Sequence, residues 1–259
     1  MRLVRIIPLL MIKDSYLYKS KKFKDFNYIG DIYNAVKIFS EKNVHEIILL
    51  DIEASNKNLN FNIDLIKKIR QEIFVPLTVG GGIKNISDAS ILIENGVEKV
   101  SINNAFYSNQ NLLKDISKKY GSQSATVSID VKKIEGTYRV FSENGKRLIE
   151  VNLIDLLKRA ENEGAGEIIL TSIDKEGSQE GYDIELYENA QNIVSIPIIA
   201  HGGCKDISSI KNLFEKTTVT TAAASSFFVY FGSRNAVLIN YPLSDSIDQI
   251  MDKYKIFDG

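Results

Sequence analysis

Short apolar runs rich in β-branched residues alternate along this chain with longer amphipathic ones. The strand-like runs are RIIPLLM (5–11), EIILLDI (46–52), PLTVG (76–80), KVSIN (99–103), ATVSID (125–130), EIILTSI (167–173), PIIAH (197–201) and VTTAAA (219–224). Between them, IDLIKKIRQEI (63–73), ASILIENG (89–96), NLLKDISKKYG (111–121), LIDLLKRAENEG (153–164) and ISSIKNLFEK (207–216) carry helical spacing. Strands apolar at nearly every position call for a parallel sheet buried on both faces. Eight of them, closed into a ring with helices outside, predict an α/β chain forming a single (β/α)8 TIM barrel domain over residues 1–259. Two segments are extra: a long Lys- and Tyr-rich loop at 14–31, and a hairpin at 131–151 with EG and ENGK as its turns.

The two halves of the chain repeat. VHEIILLDIEAS (44–55) aligns with AGEIILTSIDKE (165–176), and at the same offset VPLTVGGGIKNISDASILIENG (75–96) aligns with IPIIAHGGCKDISSIKNLFEKT (196–217). KVSINNAFY (99–107) then falls on TTAAASSFF (220–228). With a small gap, IIPLLMIK (6–13) falls on ATVSIDVK (125–132), which makes Met11 the counterpart of Asp130. The pattern therefore predicts two half-barrel copies.

Composition changes this picture little. The 259 residues are 44% hydrophobic with a net charge of −1, so no global field draws the chain to nucleic acid or a membrane surface. Cys204 is the only cysteine, which excludes an internal disulfide and a cysteine-rich zinc site. No metal or cofactor is expected. No apolar run reaches spanning length and the first residues lack signal-peptide form, so the expected location is cytoplasmic.

Barrel active sites lie at the C-terminal ends of the strands. Gly81-Gly82 and Gly202-Gly203 follow the third and seventh strands, and Asn103-Asn104 and Ala224-Ser225 follow the fourth and eighth. Glycine lets backbone N–H groups approach an anion, and amide or hydroxyl side chains add donors. Two such loop pairs suit a ligand with a phosphate at each end; otherwise the glycines merely form tight turns. Asp130, Asp51, Ser101, Thr171 and Ser172 end strands on the same face. Asp130 is the candidate acid or base, with Lys19 and Lys132 near enough to tune it. Asp51 is equally read as a loop or cap residue.

The opposite strand ends carry Arg5, Glu46, Lys99 and Glu167, each just before an apolar run. Four charges of balanced sign predict a ring of ion pairs on the barrel floor, read either as a stabilising ring or as a gate beneath a polar passage. His45 is expected at the surface, His201 near the site, and Cys204 as a packing residue. The LYKSKKFKDFNY stretch, basic and aromatic, could close over an anionic ligand.

On RIIP…KD, EIILLDIEAS, LTVGGGI, KVSIN, GSQ…SID.K, GAGEIILTSID and IIA.GG, the chain resembles the cyclase subunit of imidazole glycerol phosphate synthase along nearly its whole length. The resemblance implies a glutaminase docked on the floor. Its ammonia would pass the Arg5–Glu46–Lys99–Glu167 gate to a substrate held by phosphate sites at Gly82, Asn103 and Asn104 and at Gly203, Ala224 and Ser225. It also implies an aspartate where this chain has Met11, paired with Asp130 as acid and base. Met cannot transfer a proton. PLL replaces the usual cysteine-leucine, His201 replaces a small residue, Glu176 replaces Asp, and the tail at 227–242 departs from the usual short helix. That combination is similar to a divergent branch that supplies ammonia for amidating a surface-glycan sugar, forming acetamidino groups with a separate amidotransferase. The alternatives are an authentic cyclase of histidine biosynthesis using Asp14 or His201 as acid, and a non-catalytic scaffold that activates a glutaminase.

Overall fold

The structure, a computed structural model, describes residues 4–54, 61–232 and 234–241. The first half runs β1 (Arg5–Lys13), β2 (Tyr16–Lys21), β3 (Lys24–Asp31), α1 (Ile32–Glu41), β4 (Ile47–Asp51), α2 (Ile63–Arg70), β5 (Leu77–Gly80), α3 (Ile86–Glu94), β6 (Lys99–Ile102), α4 (Asn104–Ser108) and α5 (Leu112–Tyr120). The second runs β7 (Ala125–Ile134), β8 (Thr137–Ser142), β9 (Arg147–Ile149), α6 (Leu153–Asn162), β10 (Glu167–Ser172), α7 (Ile184–Gln191), β11 (Ile198–His201), α8 (Ile207–Lys216), β12 (Thr221–Ala224), α9 (Ser226–Val229), β13 (Tyr230–Phe231) and β14 (Ala236–Val237). The parallel ladder β1–β4–β5–β6–β7–β10–β11–β12 closes back onto β1. The expected (β/α)8 barrel is the fold found. Its helices begin where the sequence offers a side-chain acceptor: Asp31, Asn62, Asn85, Asn152, Asp183 and Asp206 each cap a helix by accepting a backbone N–H.

Strand alternation sorts the core into two layers. Ile6, Leu10, Ile12, Val100, Ile102, Val127, Ile129, Ile168 and Leu170 face outward and pack beneath the helices. Ile7, Leu9, Met11, Ile48, Ile169, Ile199 and Ala223 face inward as a separate apolar cluster, with Leu50 and Ile52 at its edge. The inward positions of β6 and β7 are polar instead: Lys99 and Ser101, with Asn103 just past the end of β6, then Thr126, Ser128 and Asp130. Thr78, Thr171, His201 and Thr221 add polar groups on β5, β10, β11 and β12, so the polar passage expected above the floor is corrected: its inner wall is mixed, apolar mainly along β1 and β4.

The half-barrel repeat is visible in the register. Met11 pairs with Leu50 and Ile12 with Asp51, as Asp130 pairs with Thr171 and Val131 with Ser172. The extra segment at 131–151 is the expected hairpin, β7–β8, extended by β9, with Glu135-Gly136 at its tight turn in left-handed conformation. The loop expected at 14–31 is instead a second hairpin, β2–β3, that continues β1 antiparallel across the barrel mouth. Its turns, Asp14-Ser15 and Lys22-Phe23, have positive φ at both residues, the form that matches strand twist.

Candidate functional site

The floor is a closed ring. Arg5 donates to Glu46 Oε2 at 3.1 Å and to Glu167 Oε1, and Lys99 Nζ donates to Glu46 Oε2 and Glu167 Oε2 at 2.8 Å each. Every charge touches two of opposite sign, so the charge of buried Glu46 is compensated. Thr78 and Thr221 complete the circle by bonding Glu46 and Arg5. Arg5, Lys99 and Glu167 keep 13–20% of their side-chain surface, which opens the ring to solvent from below.

At the mouth, Met11, Asp51, Gly81, Ser101, Asn103, Asn104, Ser128, Asp130, Thr171 and His201 surround a cavity of about 90 Å³. Phe23 and Phe26 of the β2–β3 hairpin reach it from above, as does Asn144 of the β8–β9 turn, which donates to Ile52 O at 2.7 Å. Asp130 is buried, and loss of hydration raises its pKa to about 7 against the opposing pull of Asn103 and Thr171. Asn103 Nδ2 donates to Asp130 Oδ2 at 2.9 Å and to Ser128 O at 3.0 Å. Ser101 Oγ and Thr126 Oγ1 are buried with no hydrogen-bond partner, which marks the β6–β7 wall as able to receive a ligand or solvent group.

His201 fills the gap between Asp130 and the β12 loop. Its Nδ1 lies 3.2 Å from Thr171 Oγ1 and its Nε2 3.2 Å from Ser225 Oγ, whose proton goes to Leu9 O at 2.6 Å. Burial, with a smaller push from the Lys19 charge, drives its pKa down to about 3, so the ring is neutral. Beside it Lys19 and Glu176 form an ion pair, both buried, and Ser20 adds a bond to Glu176 Oε2 at 2.8 Å. The space between these groups and Gly203, Ala224 and Ser225 is a cavity of about 10 Å³, room for one water at most.

A model of the histidine biosynthesis protein family matches residues 5–234. The chain belongs to that family. It is 45% identical to the putative imidazole glycerol phosphate synthase subunit hisF2 of Pseudomonas aeruginosa, covering 94% of this chain and 98% of that protein. It is 42% identical to the putative HisF subunit of Leptospira borgpetersenii, over 92% and 94% of the two chains. It is 36% identical to the HisF subunit of Streptococcus sanguinis, over 87% and 90%.

Several residues singled out in the sequence take other places in this member of the histidine biosynthesis protein family. Met11 lines the cavity, its sulfur 3.6 Å from Ser20 Oγ, whose proton goes to Glu176. Lys19 and Lys132 do not tune Asp130 by contact: Lys19 is held by Glu176, and Lys132 donates to Gly145 O at 3.0 Å beneath the Phe141 ring. Asp51 takes the loop role, accepting from Glu53 and Ala54 N–H at 2.9 Å, while burial raises its pKa. Asp14, an alternative acid, sits exposed in the β1–β2 turn and does not line the cavity, though its charge reaches Asp51.

The paired glycines form close turns at positive φ that a side chain could not enter. A Cβ on Gly81 would lie 2.3 Å from Asp51 O, and one on its repeat partner Gly202 would lie 2.7 Å from Ser172 O. His45 is not at the surface: it is half-buried, against Ile6 and Tyr241. Cys204 is the expected packing residue, its thiol pushed up to about 12 by burial. Of the tail at 227–242, residues 233 and 242 lie outside the described residues; the rest runs from α9 through the small β13–β14 pair to Tyr241, which stacks on Phe228. Glu176, Ser20 and Asn144 were not foreseen as site residues. Among the described residues no group of His, Cys, Asp and Glu could hold a metal ion, and no helix is long and apolar enough to cross a membrane.

Proposed function

We propose that this chain is the barrel subunit of a glutamine amidotransferase of the imidazole glycerol phosphate synthase type. A glutaminase docks on the floor, and its ammonia enters through the Arg5–Glu46–Lys99–Glu167 gate. The ring's partial exposure supports this, because the gate is reachable from outside. Neutral ammonia tolerates the apolar side of the inner wall, whereas a charged ammonium would not. The unpartnered Ser101 and Thr126 hydroxyls offer it bonds on the way. At the mouth, the Gly82, Asn103 and Asn104 loops hold a phosphorylated ligand.

The ammonia serves to amidate a surface-glycan sugar, in concert with a separate amidotransferase, rather than to close an imidazole ring. One observation carries this reading: Met11 stands where the duplicated site needs its second proton-transfer group, while Asp130 and the floor ring remain. A second reading, an authentic cyclase, is favoured by the raised pKa of Asp130, which suits a lone group acting as acid and then base. The purified protein, given free ammonia and the bisphosphorylated imidazole precursor, separates the two. Little or no product is expected; turnover at an ordinary enzymatic rate would establish the cyclase. A conduit also couples glutamine hydrolysis to sugar amidation when glutaminase and amidotransferase are added, whereas a scaffold does not.

A further inference from the structure

The β2–β3 hairpin carries aromatic surface that the proposed chemistry leaves unused. Tyr18 is the cross-strand partner of Met11 on one side and of Tyr28 on the other, and partners in an antiparallel ladder share a face. Tyr16 joins them, because the Tyr28 ring packs edge to face with Tyr16 and with Tyr18, at centroid distances of 5.7 and 5.8 Å. Met11 lines the cavity at the mouth, and so does Phe26, two residues along β3 from Tyr28. The rings therefore form one wall that rises from the cavity into solvent, with Tyr16 47% and Tyr28 58% exposed. At the Tyr18 end Lys13 lies 5.7 Å from the ring centroid, and its charge is taken by Glu53 at 2.9 Å.

The tip of the same hairpin carries charge without a partner. Lys21 and Lys24 stand opposite each other across the two strands, with Lys22 in the turn between them, and all three are exposed. Among the described residues none of the three has an ion-pair partner, whereas Lys19 is held by Glu176. Asp25 is the single acid at the tip, so three lysines against one aspartate leave residues 21–25 with a charge of +2. Like charges directly opposite each other in a ladder are destabilising, and an anion between them removes the cost. Tyr28 and Lys24 are four residues apart, at most about 14 Å along the strand, a span that the lysine side chain shortens further.

We propose that this hairpin is a binding wall for a phosphorylated ring, separate from the Gly82, Asn103 and Asn104 loops: the ring stacks against Tyr16 and Tyr28, and its phosphate lies among Lys21, Lys22 and Lys24. The size of the cavity supports this. At about 90 Å³ it is well under the roughly 300 Å³ at which ligand pockets begin, so a ligand of this kind keeps most of its body above the mouth, where the wall stands. Two sources supply the chemistry. The base of a nucleotide and the pyranose ring of a sugar phosphate both offer a flat apolar face to an aromatic side chain and a phosphate to the lysines. A bare anion leaves the tyrosines unused, and a neutral ring leaves the lysines unpaired. The inference rests on the hairpin alone and holds whether or not a glutaminase docks on the floor.

The test uses the full chain with ring-labelled tyrosine, read by NMR. The probes are uridine monophosphate and glucose 1-phosphate, with uridine, glucose and inorganic phosphate as controls. At millimolar concentration at least one phosphorylated ring is expected to shift the Tyr16 and Tyr28 ring resonances, and the tighter of the two identifies the ring as base or sugar. Tyr28→Leu keeps the apolar bulk without the flat face and is expected to weaken that probe roughly 5- to 100-fold, the worth of one stacked ring, while Tyr28→Phe retains it. Replacing the lysine pair, Lys21→Gln with Lys24→Gln, is expected to bring the phosphorylated probe down to the affinity of the same ring without phosphate. Where Tyr28→Leu disturbs the hairpin, the Tyr28→Phe and lysine variants decide. No shift with either phosphorylated ring, an affinity untouched by Tyr28→Leu in a folded hairpin or by the lysine pair, or a shift reproduced in full by inorganic phosphate overturns the proposal. So do tyrosine resonances that move on diluting the ligand-free protein, because a second copy of the chain then covers the wall.

Discussion

Met11 lies beside Leu50 in the same register in which Asp130 lies beside Thr171, so one position of a duplicated barrel holds a thioether in one half and a carboxyl in the other. Both line the cavity at the mouth. A single proton-transfer group supports one protonation event well and a coupled acid–base pair poorly. Ammonia-dependent cyclisation by the unmodified chain is therefore expected about 10²–10⁴-fold below that of Met11→Asp, the usual worth of one positioned group. Steady-state assays of both proteins with the imidazole precursor check this. Equal rates would show that Met11 is no defect.

Asp130 links the site to stability. Its pKa is raised to about 7 in the fold from an ordinary value of 3.8, with burial the leading cause. Between those values the unfolded chain releases the proton and the native one keeps it, so Asp130 weakens the fold increasingly as pH rises from about 4 through about 7. Asp130→Asn keeps the Asn103 bond and does not ionise. The variant is expected to be more stable than the parent by about 1–4 kcal/mol at pH 8 and no different near pH 4. Denaturant titrations at a series of pH values read the difference.

The barrel was legible because its strands and helices obey two clean periods, and the floor because charges at four strand starts stand out against apolar runs. The hairpin β2–β3 was not. Its turns, Asp14-Ser15 and Lys22-Phe23, contain no glycine, yet all four residues adopt left-handed φ, so the usual turn signal is missing. Helix α1 follows β3 without an intervening loop, and α7 is a short weak pattern; neither stands out in the sequence. Lys19 read as a charge near enough to tune Asp130 because nothing nearby in sequence reveals Glu176, 157 positions on. The His201 chain is equally hidden, since Ser225 and Leu9 meet only through closure of the barrel.

Lys99 holds the floor ring shut by bonding Glu46 and Glu167 together. In Lys99→Met those carboxylates share only Arg5, and buried Glu46 keeps half its compensation. A loss of about 1–3 kcal/mol is expected, short of the cost of stranding a fully buried charge because the ring is partly open to water. In the complex with a glutaminase, glutamine hydrolysis is expected to continue while delivery of ammonia to the mouth falls. Comparing glutamate released with aminated product gives the ratio. A ratio unchanged by Lys99→Met would leave the ring as a stabilising device only.

The two proposed phosphate loops are expected to behave unequally, although the repeat makes them equivalent in sequence. On the Gly203 side, Ser225 has given its proton to Leu9 O, and the remaining space is about 10 Å³. Buried Glu176 would repel an anion there unless Lys19 left it, and a buried carboxylate without its partner is costly. Asn103 and Asn104 on the other side border the larger cavity. Millimolar inorganic phosphate should therefore shift the backbone amide resonances of Gly82 and Asn104 and leave those of Gly203 and Ser225 in place. Glu176→Gln removes the repelling charge and frees the Lys19 ammonium, so in that variant the Gly203 amide is expected to respond as well. Equal shifts on both sides of the unmodified protein would show that the Lys19–Glu176 pair opens readily, and no shift on either would leave all four glycines as turn formers.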